Sequence, residues 1–261
     1  MPREHSQNPQ KLEIEPDSGG ERVLPKDAEM SALQDSLKIV VANATRLFED
    51  AKMFEEFERY PTAYALAVLT QEEYGKAFLV HLAADHRVPW TTALQKATRN
   101  HLCKQLVALV LEYVSRKDFL ELLEEPDRFR GASTLPSHVL NAIEIVIHEH
   151  VRNWSRAEWT EGAQIHPVAN RIAHGVLDRE KQTGFYVHVG SDGRVKRAPG
   201  MISASRCREE LARTERVSNA FYLQDGQVHP AVSFDWPKII AFFQVLLGAM
   251  PIDEFNEKWW A

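Results

Sequence analysis

Apolar side chains at Leu33, Leu37, Val40, Ala44, Leu47, Ala51 and Phe54 recur in steps of three and four residues. That spacing lines one face of an α-helix. Ser31-Ala-Leu-Gln34 has the form of a capping box, so a first helix is expected from near Ser31. Pro61 suits the first turn of a second helix running to about Ala84, because a helix start leaves that amide unpaired anyway. Thr92-Ala-Leu-Gln95 is a further capping box, and a third helix is expected to continue unbroken to about Ser115. A fourth, from near Ser137 to Trp154, is apolar through Leu140, Ile143, Val146, Ile147 and Val151. Long amphipathic segments with short connections predict an antiparallel helical bundle.

Beyond Pro167 the pattern changes. A short helix through Arg179 is expected, with Gly184 as its stop. Phe185-Tyr-Val-His-Val189 and Arg194-Val-Lys-Arg197 flank Gly190-Ser-Asp-Gly193, a hairpin signal, and no other β element is expected. A polar helix follows from about Ser203 to Val217. A last apolar helix opens at Asp235-Trp-Pro237 and continues through Ile239, Ile240, Phe243 and Leu246. The first 30 residues behave differently. They carry four prolines and the Gly19-Gly20 pair, show no apolar period, and hold four basic against seven acidic side chains, which predicts a flexible tail. The expected plan is therefore that tail, residues 1–30, and a single helical domain, 31–261. Its bundle core covers about 31–160; a short helix, the hairpin and C-terminal helices cover about 161–261. The fold class is mainly all-α, with one small β-hairpin near residues 185–198.

Composition narrows the compartment more than the chemistry. Of 261 residues, 44% are hydrophobic and 26% charged, an ordinary globular balance. Two cysteines, Cys103 and Cys207, are too few for a disulfide framework and fit a reducing cytoplasm. Met1-Pro-Arg-Glu-His lacks the apolar core of a signal peptide. The longest nearly uncharged apolar run, Ile239 to Ile252, is 14 residues, short of the about 18 that span a bilayer. A cytoplasmic protein without a membrane partner is expected. The net charge of −6 argues against a generic nucleic-acid coat.

Candidate chemistry sits inside the apolar stripes. Leu66, Leu69, Glu73, Lys76 and Val80 step by three and four along the second helix, which places Glu73 and Lys76 on its core face. Glu72 lies one position round, four residues before Lys76, in the favoured order for a helical ion pair. Gly75 interrupts the same helix, where a close approach by another backbone or a ligand would explain a glycine. On the third helix His101 and Lys104 lie on the stripe formed by Leu94, Ala97, Ala108 and Leu111, with Arg99 and Asn100 adjoining. If the two faces pack together, Glu72, Glu73, Lys76, His101 and Lys104 meet in one partly buried cluster. Burying an ionised group costs several kcal/mol unless it is paired. Such a cluster is either a salt-bridge network fixing helix register, or a site where His101 moves protons while Lys104 or Arg99 steadies a phosphate.

The same residues carry a family likeness. Asn43-Ala-x-x-Leu-x-x-Asp50-Ala51 is followed by Tyr60-Pro61, then Gln71-Glu-Glu-Tyr-Gly-Lys76, then Arg99-Asn-His-x-x-Lys104. Together with Glu180-Lys-Gln-Thr-Gly-Phe-Tyr-Val-His-Val189, these blocks resemble, in order and spacing from about residue 36 to 216, the AbiV family of bacterial phage abortive-infection proteins. His188 stands where that family commonly has Asp. The resemblance implies a HEPN-like helical bundle and a part in antiviral defence. Many HEPN proteins are metal-independent ribonucleases that use an arginine and a histidine with four to six residues between them. No Arg–His pair here has that spacing. Ala169-Asn-Arg-Ile-Ala-His174 is the nearest string, with Ala169 where the arginine would stand and Arg171 close by.

Other features point elsewhere less sharply. His148 and His150 lie on opposite sides of a helix and no helical pair with metal-ligand spacing exists, so neither a metal nor another cofactor is expected. Residues 178–216 hold nine basic and six acidic side chains. Among them Arg194, Lys196 and Arg197 are candidates for contacting RNA phosphates or an acidic partner, while Phe185 and Tyr186 are expected to pack the hairpin. There is no Walker-type loop and no Gly-x-Ser-x-Gly nucleophile motif. Three functions remain. The first is an antiviral protein that binds a phage protein or translation-related RNA through residues such as Glu72, Lys76, Asn100 and the hairpin cations. The second is a HEPN-type endoribonuclease using His101 or His174, with Arg99, Lys104, Arg171 and Glu73 in support. The third is a non-catalytic helical adaptor. A homodimer is the expected assembly.

Overall fold

In the computed structural model of the protein, the residues described are 27–114, 145, 155, 167–224, 227–230, 241, 244, 245, 250, 251, 253 and 254. The expected fourth helix and nearly all of the closing one lie outside them, as do the first 26 residues and His148, His150 and His166; Ile145, Ala241, Gln244 and Val245 are helical.

The protein is mainly helical. Helix α1 (Asp27–Glu56) turns through a three-residue link into α2 (Tyr60–Ala84), and the two pack along their lengths. Leu33, Leu37, Ala44 and Ala51 of α1 are buried as their period requires. The helix begins at Asp27, four residues before the capping box at Ser31, so residues 27–30 belong to the bundle and not to the tail. Helix α2 packs against α1 and against three helices from further along the chain, His101–Val114, Val176–Phe185 and Ala204–Ser218. Its sequence is apolar almost all round, from Ala63 to Val68 and again from Ala77 to Ala83, which is the composition of a central helix.

The expected third helix is two. Helix α3 (Thr92–Ala97) is capped by Thr91, whose hydroxyl accepts from the Leu94 amide, one residue before the box read at Thr92. Helix α4 (His101–Val114) starts afresh because Asn100 caps it: its side-chain oxygen accepts the Cys103 amide at 3.0 Å. Asparagine competes for local amides and so favours caps over helix interiors. Replacing Asn100 by alanine is expected to cost about 1 kcal/mol, measured as a lower urea midpoint.

Helix α5 (Pro167–Ala173) ends where Gly175 turns left-handed at φ 63°. Helix α6 (Val176–Phe185) then runs past Gly184, which therefore stops nothing. A Cβ on Gly184 would meet the Pro61 carbonyl at 2.4 Å, so this glycine lets α6 lie against the start of α2. Strands β1 (His188–Val189) and β2 (Val195–Arg197) pair antiparallel as the Asp-Gly turn predicts. Helix α7 (Ala204–Ser218) begins where a polar helix was expected, and Ser203 caps it by accepting the Arg206 amide. A second antiparallel hairpin, β3 (Phe221–Gln224) with β4 (Gln227–Pro230), was not expected. Its sequence sign is the Asp225-Gly226 pair between two β-rich runs.

Candidate functional site

Because α2 is surrounded, any polar side chain it carries must find partners in the protein. The two glutamates at its middle meet opposite fates. Glu72, read as one position off the core face, is 1% exposed. Glu73 and Lys76, read as inward-facing, lie on the less covered side. They pair with each other at 2.8 Å, and Asn43 of α1 donates to Glu73 at 3.3 Å. The expected five-member cluster therefore divides, and Glu73 is not among the partners of His101.

Glu72 gathers donors from two other helices. One carboxylate oxygen accepts Gln105 Nε2 and Lys181 Nζ, each at 2.8 Å. The other takes His101 Nδ1 at 2.7 Å and stands 3.4 Å from Lys104 Nζ. Burial alone would push this carboxyl up, but the His101 bond and the Lys181 and Lys104 charges outweigh it and hold the pKa near 2, since each of them favours the ionised form. Lys181 of α6 also pairs with Asp178 at 2.7 Å, and its ammonium lies 3.1 Å from His101 Nδ1 as both groups turn to the same carboxylate. Two carboxylates thus face two ammonium groups, and the centre is neutral before His101 is counted.

The geometry fixes the imidazole. Two acceptors would not stand 2.7 Å apart, so the Nδ1 proton points at Glu72. The His101 side chain is 45% exposed, and Nε2 is the ring nitrogen that does not meet the carboxylate. An imidazole oriented by a carboxylate in a partly exposed position is an arrangement suited to proton transfer. Glu72, His101 and Asp178 offer ligand atoms within 4.8 Å of one another. However, the Lys181 ammonium already stands within 3.1 Å of an atom of each, so the chain supplies its own cation there.

The remaining candidates separate by place. Lys104 is buried with its ammonium turned toward Glu72, which takes it away from any phosphate outside. Asn100 is spent as a cap. Arg99 is exposed. Ala169 is fully buried in the core, where no arginine would fit. Among the described residues Arg171 donates to Glu180 of α6, at 2.6 and 2.7 Å. His174 is exposed. Glu180 also accepts from Tyr64 and Arg206 and begins a second polar seam. Gln71 donates to Glu210 and Thr214, and Arg213 and Arg216 clasp Glu112, tying α7 to α2 and α4. On the β1–β2 hairpin Lys196 pairs with Asp192 at 2.8 Å, while Arg194 is exposed and Arg197 partly so. Phe185 and Tyr186 meet edge to face yet stay exposed, so they do not pack the hairpin onto the body.

Sequence reasoning missed Lys181, Gln105 and Asp178. Lys181 was visible only as part of the Glu180-Lys181 block; the all-round apolar character of α2 was the sign that Glu72 would be the buried glutamate.

A mainly helical bundle with this polar centre is an all-α protein of HEPN-like fold. The chain matches the family model of AbiV, a HEPN family, over residues 32–219. It belongs to the AbiV family, which points to an abortive-infection function of HEPN type. No curated protein and no solved structure matches it. Among the described residues no helix is long and apolar enough to cross a membrane.

Proposed function

We propose that this AbiV-family protein takes part in abortive infection by binding a phage protein or translation-related RNA, and not by cutting RNA at a HEPN arginine–histidine pair. The observation that carries this reading is the state of the 169–174 segment. The position of the motif arginine is a fully buried alanine, and the nearby Arg171 is held by Glu180 at 2.6 and 2.7 Å. A guanidinium that stabilises a scissile phosphate must face it, and this one is already engaged. The exposed Arg194 and the neighbouring Arg197 are among the cations that a partner could meet.

A second reading, metal-independent endoribonuclease, is favoured by one feature: the half-exposed His101 is oriented by buried Glu72. Incubation of the purified full chain with total RNA in EDTA, beside His101→Ala and His174→Ala, separates the two. The expected result is no cleavage by any of the three, with phage protection intact in cells. Cleavage lost in His101→Ala would overturn the binding reading and put the Glu72–His101 pair at the centre of a nuclease.

A further inference from the structure

His86, His101, His174 and His188 are all exposed, yet among the described residues only His101 of these four is held by a carboxylate. The combination is unusual: the acceptor, Glu72, is 1% exposed, while the ring that bonds to it at 2.7 Å is 45% exposed. A neutral ring whose Nδ1 proton faces a carboxylate carries its lone pair on Nε2. Such a ring is a nucleophile as well as a base, because the positive charge it gains on forming a bond is met by a counter-ion already in place. The imidazole can therefore accept an electrophile and not only a proton.

The charges around the ring select which electrophile. Glu72 comes from α2, Lys104 from α4, and Lys181 and Asp178 from α6, and these four sum to zero. The exposed Arg99 stands just before α4. A neutral acyl or alkyl group on Nε2 would leave a cationic ring beside two ammonium groups, with Lys181 Nζ 3.1 Å from Nδ1. A phosphoryl group brings up to about two negative charges of its own, which offset that cation. His101 is also the first residue of α4, a helix of 14 residues, and the start of a helix favours a negative group. We propose that His101 accepts a phosphoryl group on Nε2 from a small acyl phosphate, with Glu72 as its positioning residue. The Nε2 lone pair attacks phosphorus and the N–P bond forms. The P–O bond to the acyl group breaks, and its electron pair leaves with the carboxylate product. The Nδ1 proton stays on the ring, facing Glu72, and nothing is oxidised or reduced. This goes beyond the binding reading above and does not depend on it.

Acetyl phosphate is the probe, added to the purified full chain without RNA or any phage component. Peptide mass mapping in alkali, where phosphohistidine survives, locates the label. His101 is expected to be labelled about tenfold or more faster than His86, His174 or His188, which report the reactivity of a ring that no carboxylate orients. Phosphorus–nitrogen coupling in the NMR spectrum of the 15N-labelled chain is expected to place the phosphorus on Nε2. Glu72→Gln, checked for folding by circular dichroism, is expected to slow labelling of His101 about tenfold and leave the other three histidines unchanged. No label, four histidines labelled alike, or phosphorus on Nδ1 would each overturn the proposal, and these readouts need only the wild type. A folded Glu72→Gln that labels His101 at the wild-type rate would overturn the part given to Glu72. None of these outcomes bears on whether the protein binds RNA or a phage protein, since neither is present.

Discussion

Replacing Glu72 by alanine is expected to lower the stability of the protein by about 3–5 kcal/mol, the usual result of removing one member of a buried ion pair. The loss comes less from the contacts deleted than from what they leave behind. Lys181 and Lys104, each with a side chain 8% exposed, lose a counter-ion, and the Gln105 amide loses its acceptor. Asp178 remains for Lys181, but among the described residues nothing comparable remains for Lys104. The same change at Glu73 is expected to cost under about 1 kcal/mol, because its partner Lys76 is 30% exposed and falls back on water. Urea unfolding of the two variants side by side measures the contrast; equal losses would contradict the placement of Glu72 at the centre.

The same carboxylate gives a pH signature. Its folded pKa, about 2, lies below its ordinary value of 4.5. A depressed acid stabilises the fold fully above its unfolded pKa, and that stability is lost as pH falls through the folded one. From about pH 4.5 down to about pH 2 the wild type should therefore lose roughly 3 kcal/mol through this group. Glu72→Ala should show a shallower fall over that window, since the component is already missing. Unfolding midpoints across the acid range test the difference.

What could be read from sequence follows the range of the interactions involved. The inner face of α1, the start of α7 near Ser203 and the Asp192-Gly193 hairpin depend on neighbours a few residues away, and each was legible. Asn100 was equally local, but the apolar period running across it hid the cap. The orientation of α2 failed for a different reason. A three-and-four stripe assigns an inner face only when a helix has an outer one, and α2, covered by four other helices, has little outer face to assign. The partners of Glu72 were beyond any periodicity: Lys181 lies 109 residues away along the chain. Position on the family's Glu180-Lys181 block was its only trace. The register of α7 depends likewise on Gln71 meeting Glu210 and Thr214, pairs that the two helices show only once they are packed.

The clearest link between local sequence and the site is Gly75. A Cβ there would stand 2.4 Å from the carbonyl oxygen of Lys104 and 3.1 Å from its carbonyl carbon. Real contacts are never that short, and the obstacle is backbone, which cannot swing aside as a side chain can. The glycine therefore sets how closely α2 and α4 approach, one turn from where Glu72 meets His101, Gln105 and Lys104. Gly75→Ala gains about 1 kcal/mol of helix propensity, yet must push the two helices apart against a packed core, for which overpacking costs of about 1–3 kcal/mol or more are usual. The second effect wins, and a net loss of about 2 kcal/mol is expected. Gly200→Ala, where a Cβ meets nothing within 4 Å, is the control and should change stability by under about 0.5 kcal/mol. Separation of the helices would also lengthen the His101–Glu72 bond, so the imidazole 15N shifts of Gly75→Ala should move toward those of an unpaired ring. A variant as stable as the control, with unchanged imidazole shifts, would show that the spacing of α2 and α4 is not what holds His101 on its carboxylate.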